Sequence, residues 1–177
     1  GHGTHVAGLA AGTIFGAAKL ATIVPVRVLD CDGTGSLLGV LQGLDWIARN
    51  TQVGQAAVVN MSLGGESNVY LDSAVTSLTD QGLAFVVAAG NSGADACSTS
   101  PARVPGAITV AASSSTDAWP TFSNRGSCVD IVAPGVDLIS AWLGTASATY
   151  RASGTSMAAG VVSGIVANQM SFGYQNP

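Results

Sequence analysis

Charge is what this chain has least of. Only 9% of its 177 residues are charged, with six Lys+Arg against ten Asp+Glu and a formal net charge of −4. A globular surface carries about 25% charged residues on average, so the polar surface here must come from Ser, Thr, Asn and Gln. One lysine (Lys19) and five scattered arginines form no basic face, which excludes a nucleic-acid partner. The single lysine also excludes a P-loop, because no Gly-Lys-Ser/Thr occurs. Gly, Pro, Ser and Asn interrupt every apolar run before the ~20 residues a membrane span needs, so no membrane partner is expected. Aromatics are only 6% of residues, but 47% are hydrophobic, which excludes a disordered chain. The chain has no opening Met, no signal segment and no strand before Gly1, and it stops at Asn176-Pro177 after a helical pattern. We therefore expect a partial domain over residues 1–177, truncated at both ends.

The remaining pattern alternates β-branched apolar runs with helical spacing. Strands are predicted over Ala21–Leu29, Ala56–Met61, Leu83–Ala89 and Ala107–Ala112. Helices are predicted over Val6–Ala11, Leu37–Arg49, Val69–Leu78 and from Met157 onward. Continuous apolar strands between amphipathic helices imply a doubly wound α/β fold, a mostly parallel sheet with helices on both faces. No internal repeat or linker interrupts it. In such sheets ligands bind at loops leaving the strands' carboxyl ends. Three of those loops are glycine-rich: Gly33-Thr34-Gly35, Gly64-Gly65 and Gly90-Asn91-Ser92-Gly93. Each alone reads equally as a tight turn, whereas three at corresponding strand ends indicate a cleft.

Few residues are equipped for chemistry. His2 and His5 are the only histidines, three apart at a helix start. No third ligand accompanies them, so a zinc site is not assigned, while an imidazole at a cleft is suited to be a general base. Ser156 follows Gly154-Thr155 and opens a small-residue helix. A helix amino end favours negative charge, which suits an alkoxide and an adjacent oxyanion, although ordinary N-capping gives the same pattern. The carboxamide of Asn91 lies at a strand end, where it could donate to such an oxyanion or merely close a turn.

Together the segments GHGTHVAG, NMSLGG, AAGNSG and ASGTSMAAG, in this order, resemble the subtilisin-like serine proteases. VRVLDCDGTGS, DACSTSPARV and FSNRGSCVDIVAPG are similar to the proteinase K and aqualysin branch. The resemblance implies a serine endopeptidase in which His2 is the general base, Ser156 the nucleophile and Asn91 the oxyanion-hole amide. His5 matches a structural histidine. It further implies that Gly33-Thr34-Gly35 and Ser62-Leu63-Gly64 clamp substrate backbone as added strands. Gly64-Gly65 and Ala88-Ala89-Gly90 would wall a wide apolar pocket for aromatic and aliphatic side chains. Cys97 and Cys128 match a bridged pair, and Cys31 a cysteine whose partner lies upstream. A bridged chain implies a secreted, extracellular setting. Polypeptide substrates, its own propeptide and a monomeric state complete the implied partners. Catalysis would need no cofactor. A structural calcium ion is common in the family, but Ser114 stands where a ligating Asp is usual, so no metal residue is assigned.

Two departures stand out. The family's orienting aspartate lies upstream of the histidine, and none of the ten acids here is nominated in its place. Gly160-Val161 replaces the usual Pro-His, and glycine is expected to loosen the helix's first turns by about 1 kcal/mol. A catalytically impaired homologue serving as a binding domain is the alternative reading. A dinucleotide-binding module, suggested by the glycines from Gly33 to Gly39, would need a ribose-binding acid at the end of the next strand, which instead runs into Ser62-Leu63-Gly64-Gly65.

Overall fold

The structure is a computed structural model that describes residues 1–52 and 54–173; the expected terminal Asn176-Pro177 lie outside them. Four parallel strands form the central sheet: β1 (Val58–Met61), β3 (Ala84–Ala88), β5 (Ile108–Ser113) and β6 (Ile131–Pro134), in that spatial order. Two short antiparallel pairs flank it, β2 (Gly65–Glu66) with β4 (Thr99–Ser100) and β7 (Leu138–Ala141) with β8 (Thr149–Ala152). The helices are α1 (His2–Ala11), α2 (Leu37–Asn50), α3 (Val69–Asp80) and α4 (Thr155–Ser171).

The two-residue period of β3 explains the layering. Phe85 and Val87 face a cluster with Val40 and Leu44 of α2 and Leu71, Val75 and Leu78 of α3. Val86 and Ala88 point the other way, onto Ala158, Ala159 and Val162 of α4. All five β3 residues are buried, as expected of a strand covered on both faces. The fold is therefore the predicted α/β sheet with helices on both sides. Caps set the helix starts. The Ser36 hydroxyl accepts from Gly39 N at 3.0 Å, and Asn68 Oδ1 accepts from Tyr70 N and Leu71 N.

One expectation needs correction. Ala21–Leu29 is extended but joins no ladder, and Ile23 and Val24 remain exposed. Its β-branched composition favours extension, but a strand also needs an adjacent edge. This segment faces β1 across an open cleft instead of bonding to it. On α2, Leu37, Leu38 and Trp46 are exposed, because the buried stripe passes through Val40 and Leu44. The helix α4 runs unbroken through Gly160. A Cβ there would sit 3.1 Å from the Val6 carbonyl oxygen, so the glycine permits close approach of α1.

Cys97 and Cys128 are bridged, with their Cα atoms 5.3 Å apart, closing a 31-residue separation. Cys31 is exposed and unbridged within this chain. By the chain-entropy relation a loop of that size contributes about 3–4 kcal/mol. The paired Cys97→Ser, Cys128→Ser variant should lose that much in urea unfolding. A loss below about 1 kcal/mol would show that the bridge does not constrain the unfolded chain in this way.

Candidate active site

The amino end of α4 lies at the carboxyl ends of β1 and β3, where a parallel sheet presents its loops. Thr155 locks the Gly90-Asn91 loop to it. Gly90 N donates to Thr155 Oγ1 at 3.1 Å. Thr155 N and Oγ1 donate to Asn91 Oδ1 at 2.8 and 3.0 Å. These bonds orient the Asn91 amide: its oxygen is occupied by donors, which leaves Nδ2 as the free donor beside Gly154. A Cβ on Gly154 would lie 3.5 Å from that nitrogen.

The loop is held from below by Asn124, a fully buried residue that the sequence reading overlooked. Its Oδ1 accepts from Ser92 N, Ser92 Oγ and Ala94 N, and its Nδ2 donates to Ala89 O at 2.8 Å. Gly90 has φ +106°, and a side chain there would overlap the Asn124 amide. The only signal for this role was the Asn of FSNRG, within a segment singled out for its cysteine.

Helix packing relates His2 to Ser156. Gly160 faces Val6, and Gly164 approaches Ala10 so closely that a Cβ would overlap its carbonyl. Both pairs differ by 154 positions. Extended one turn toward the amino ends, the same spacing would set His2 level with Ser156. Val6, Leu9 and Met157 form a buried cluster just inside that pair. The Ser156 hydroxyl, 8% exposed, donates to Ser62 O at 3.3 Å. His2 is exposed overall, yet burial of part of its ring holds the imidazole below its ordinary 6.5; the charge of His5 acts in the same direction.

His5 is fully buried, and its Nε2 lies 3.2 Å from Leu138 O and 3.0 Å from Tyr150 O. The Ser140 hydroxyl donates to His5 O at 2.8 Å. The β7–β8 hairpin thus grips α1 one turn below His2. Nε2 is committed to these carbonyls, while Nδ1 is buried without a hydrogen-bond partner.

His2, Gly33-Thr34-Gly35 and Ser62-Leu63-Gly64-Gly65 line one open cleft of about 2180 Å³. Asn91, Ser156, Ala88, Ala89 and Gly90 are not among its lining residues. The Ala88 and Ala89 side chains are buried, in separate core clusters. Among the described residues, neither ion pair involves His2.

The Ser114 loop is closed by its own hydrogen bonds. The Ser114 hydroxyl accepts from Thr116 N and Ala118 N, and bonds Thr116 Oγ1 at 3.0 Å. The Ser114 and Ala118 carbonyls accept Asp117 N and Ser114 N. The described residues contain no group of three or more His, Cys, Asp or Glu able to hold a metal.

The Ser156 hydroxyl at a helix amino end and the Asn91 carboxamide tied to that end thus lie together at the carboxyl edge of the sheet. Comparisons with known proteins identify the family. The subtilase family (peptidase S8) profile matches residues 1–176. The chain is 53% identical over 167 residues to an extracellular serine proteinase of Thermus sp. (strain Rt41A), covering 94% of this chain and 40% of that protein. It is also 53% identical over 167 residues to alkaline serine exoprotease A of Vibrio alginolyticus, covering 94% of this chain and 30% of that one. The crystal structure of a cold adapted subtilisin-like serine proteinase superposes with a TM-score of 0.93 at 49% identity, over 97% of this chain and 62% of the other. This chain belongs to the subtilase family. It spans well under half the length of the two curated relatives described.

Proposed function

We propose that this chain forms the His- and Ser-bearing part of a secreted serine endopeptidase. The observation that carries the reading is the constant register of α1 on α4, which extrapolates to His2 opposite Ser156. Ser156 Oγ attacks the scissile carbonyl while His2 takes its proton. Asn91 Nδ2 and the Ser156 N–H hold the oxyanion. His2 passes the proton to the leaving amine, and water then hydrolyses the acyl-enzyme by the same route.

The substrate backbone lies along Gly33-Thr34-Gly35 and Ser62-Leu63-Gly64. Apolar and aromatic side chains enter beside Gly64-Gly65 and Ala88-Ala89-Gly90. The carboxylate that orients His2 comes from outside these residues, so the isolated chain turns over little substrate. The protein acts as a monomer on polypeptides, its own propeptide among them, with no catalytic cofactor. An extracellular location agrees with the Thermus relative's name and with the Cys97–Cys128 bridge.

The test is covalent labelling of the intact gene product with a fluorophosphonate. Wild type should label at Ser156, and Ser156→Ala should neither label nor hydrolyse peptides. Ser156→Ala retaining wild-type turnover overturns the reading, and a wild type that never labels favours the impaired homologue.

A further inference from the structure

β1 and α4 are joined by polar side chains at two levels. Asn60 on β1 and Ser62 just beyond its carboxyl end, two positions apart, point to the same side. Ser156 and Ser163, seven apart on the helix, share one of its faces. Ser62 and Ser156 bond reciprocally. Ser62 Oγ lies 3.0 Å from Ser156 O, and Ser156 Oγ donates to Ser62 O at 3.3 Å. Two turns along the helix, Asn60 Nδ2 donates to Ser163 Oγ at 2.9 Å. Ser163 Oγ spends its own proton on Ala159 O at 2.8 Å, so toward Asn60 it can only accept. That orients the Asn60 amide with its oxygen toward Ser62 Oγ, 2.9 Å away. The single Ser62 proton is therefore shared between Asn60 Oδ1 and the Ser156 carbonyl.

Packing alone does not call for this arrangement. Ser163 is 5% exposed and lies in the same helix as the buried apolar residues Ala158, Ala159 and Val162. A buried hydroxyl there carries a desolvation cost unless it is fully bonded, and a fully bonded network fixes one geometry. We propose that Asn60 and Ser163 are positioning residues for Ser156. They hold the Ser62 hydroxyl, and through it the Ser156 peptide, at a set distance from the end of β1. The proposal rests on the reading of Ser156 as nucleophile. Attack requires near-contact alignment, and displacements of about 1 Å cost up to 10²-fold.

The experiment measures steady-state peptide hydrolysis and fluorophosphonate labelling rates in the intact gene product. Ser163→Ala and Asn60→Ala should each lower kcat by roughly tenfold or more, with KM nearly unchanged. The labelling rate at Ser156 should fall by the same factor. Combining Ser163→Ala with Ser62→Ala should cost no more than the larger single effect, because both cut one link. If Asn60→Ala does not fold, Ser163→Ala, which removes only one oxygen atom, decides the matter. Unchanged kcat and labelling in Ser163→Ala, a loss confined to KM, or losses that multiply with Ser62→Ala would each overturn the proposal. Ser156→Ala separates the two levels. If it is inactive while Ser163→Ala matches wild type, only the positioning role fails; if it retains turnover, the nucleophile assignment fails with it.

Discussion

Asn91→Asp is expected to reduce kcat by at least about 10²–10³-fold while leaving the fold intact. The magnitude is that of losing one oxyanion donor in subtilisin, itself a subtilase, and is carried over from that relative. The variant is nearly isosteric. It keeps the oxygen that accepts from Thr155 N and Oγ1, so the tie between the loop and α4 survives. It replaces the free N–H donor with an acceptor bearing negative charge. A carboxylate at the amino end of α4 is favourable for the folded state, so Tm should hold or rise. The two roles open to Asn91 thereby predict opposite outcomes. If it only closes a turn, aspartate serves as well and the rate stays; if it donates to developing charge, the rate collapses in a stable protein. Peptide hydrolysis and thermal unfolding of the same variant decide between them.

The second large effect is expected at Gly164. A side chain there meets the Ala10 carbonyl and, at 2.9 Å, the Ala17 Cβ, neither of which is a flexible side-chain end. Gly164→Ala must push α1 away from α4. Overpacking of this kind costs about 1–3 kcal/mol, visible as a drop of several degrees in Tm. The rate should suffer more than stability does. α1 carries His2, and a shift that would move it from its register with Ser156 costs roughly 10-fold or more in kcat even where the variant remains folded. A Gly164→Ala variant with wild-type kcat would show that the spacing of these helices does not set the distance between base and nucleophile.

What could be read from the sequence follows from how local each signal is. α2 and α3 were legible because Val40 and Leu44, or Leu71, Val75 and Leu78, recur at helical spacing. β3 was legible as a continuous apolar run. Ala21–Leu29 has the same composition, but whether it pairs depends on a neighbouring edge, which no local pattern encodes. β8 (Thr149–Ala152) escaped notice because TYRA is mostly exposed and lacks an apolar face. Gly160 and Gly164 read locally as weak helix formers, yet they face Val6 and Ala10 from more than 150 residues away. Asn60, Asn124 and Ser163 are ordinary polar residues until folding pairs them across 30 to 103 positions. His2, Asn91 and Ser156 were found only because their surrounding segments together resemble a known family. Composition alone would have left Asn91 a turn residue and Ser156 a cap.

The account depends on His2, Asn91 and Ser156 addressing one carbonyl. A crystal structure of the intact gene product with a peptide boronate tests this most directly. The prediction is boron bonded to Ser156 Oγ, one boronate oxygen within about 3.2 Å of Asn91 Nδ2, and the His2 imidazole within hydrogen-bond reach of the adduct. An adduct on another residue, or one on Ser156 whose oxygens point away from Asn91 with His2 out of reach, would contradict it.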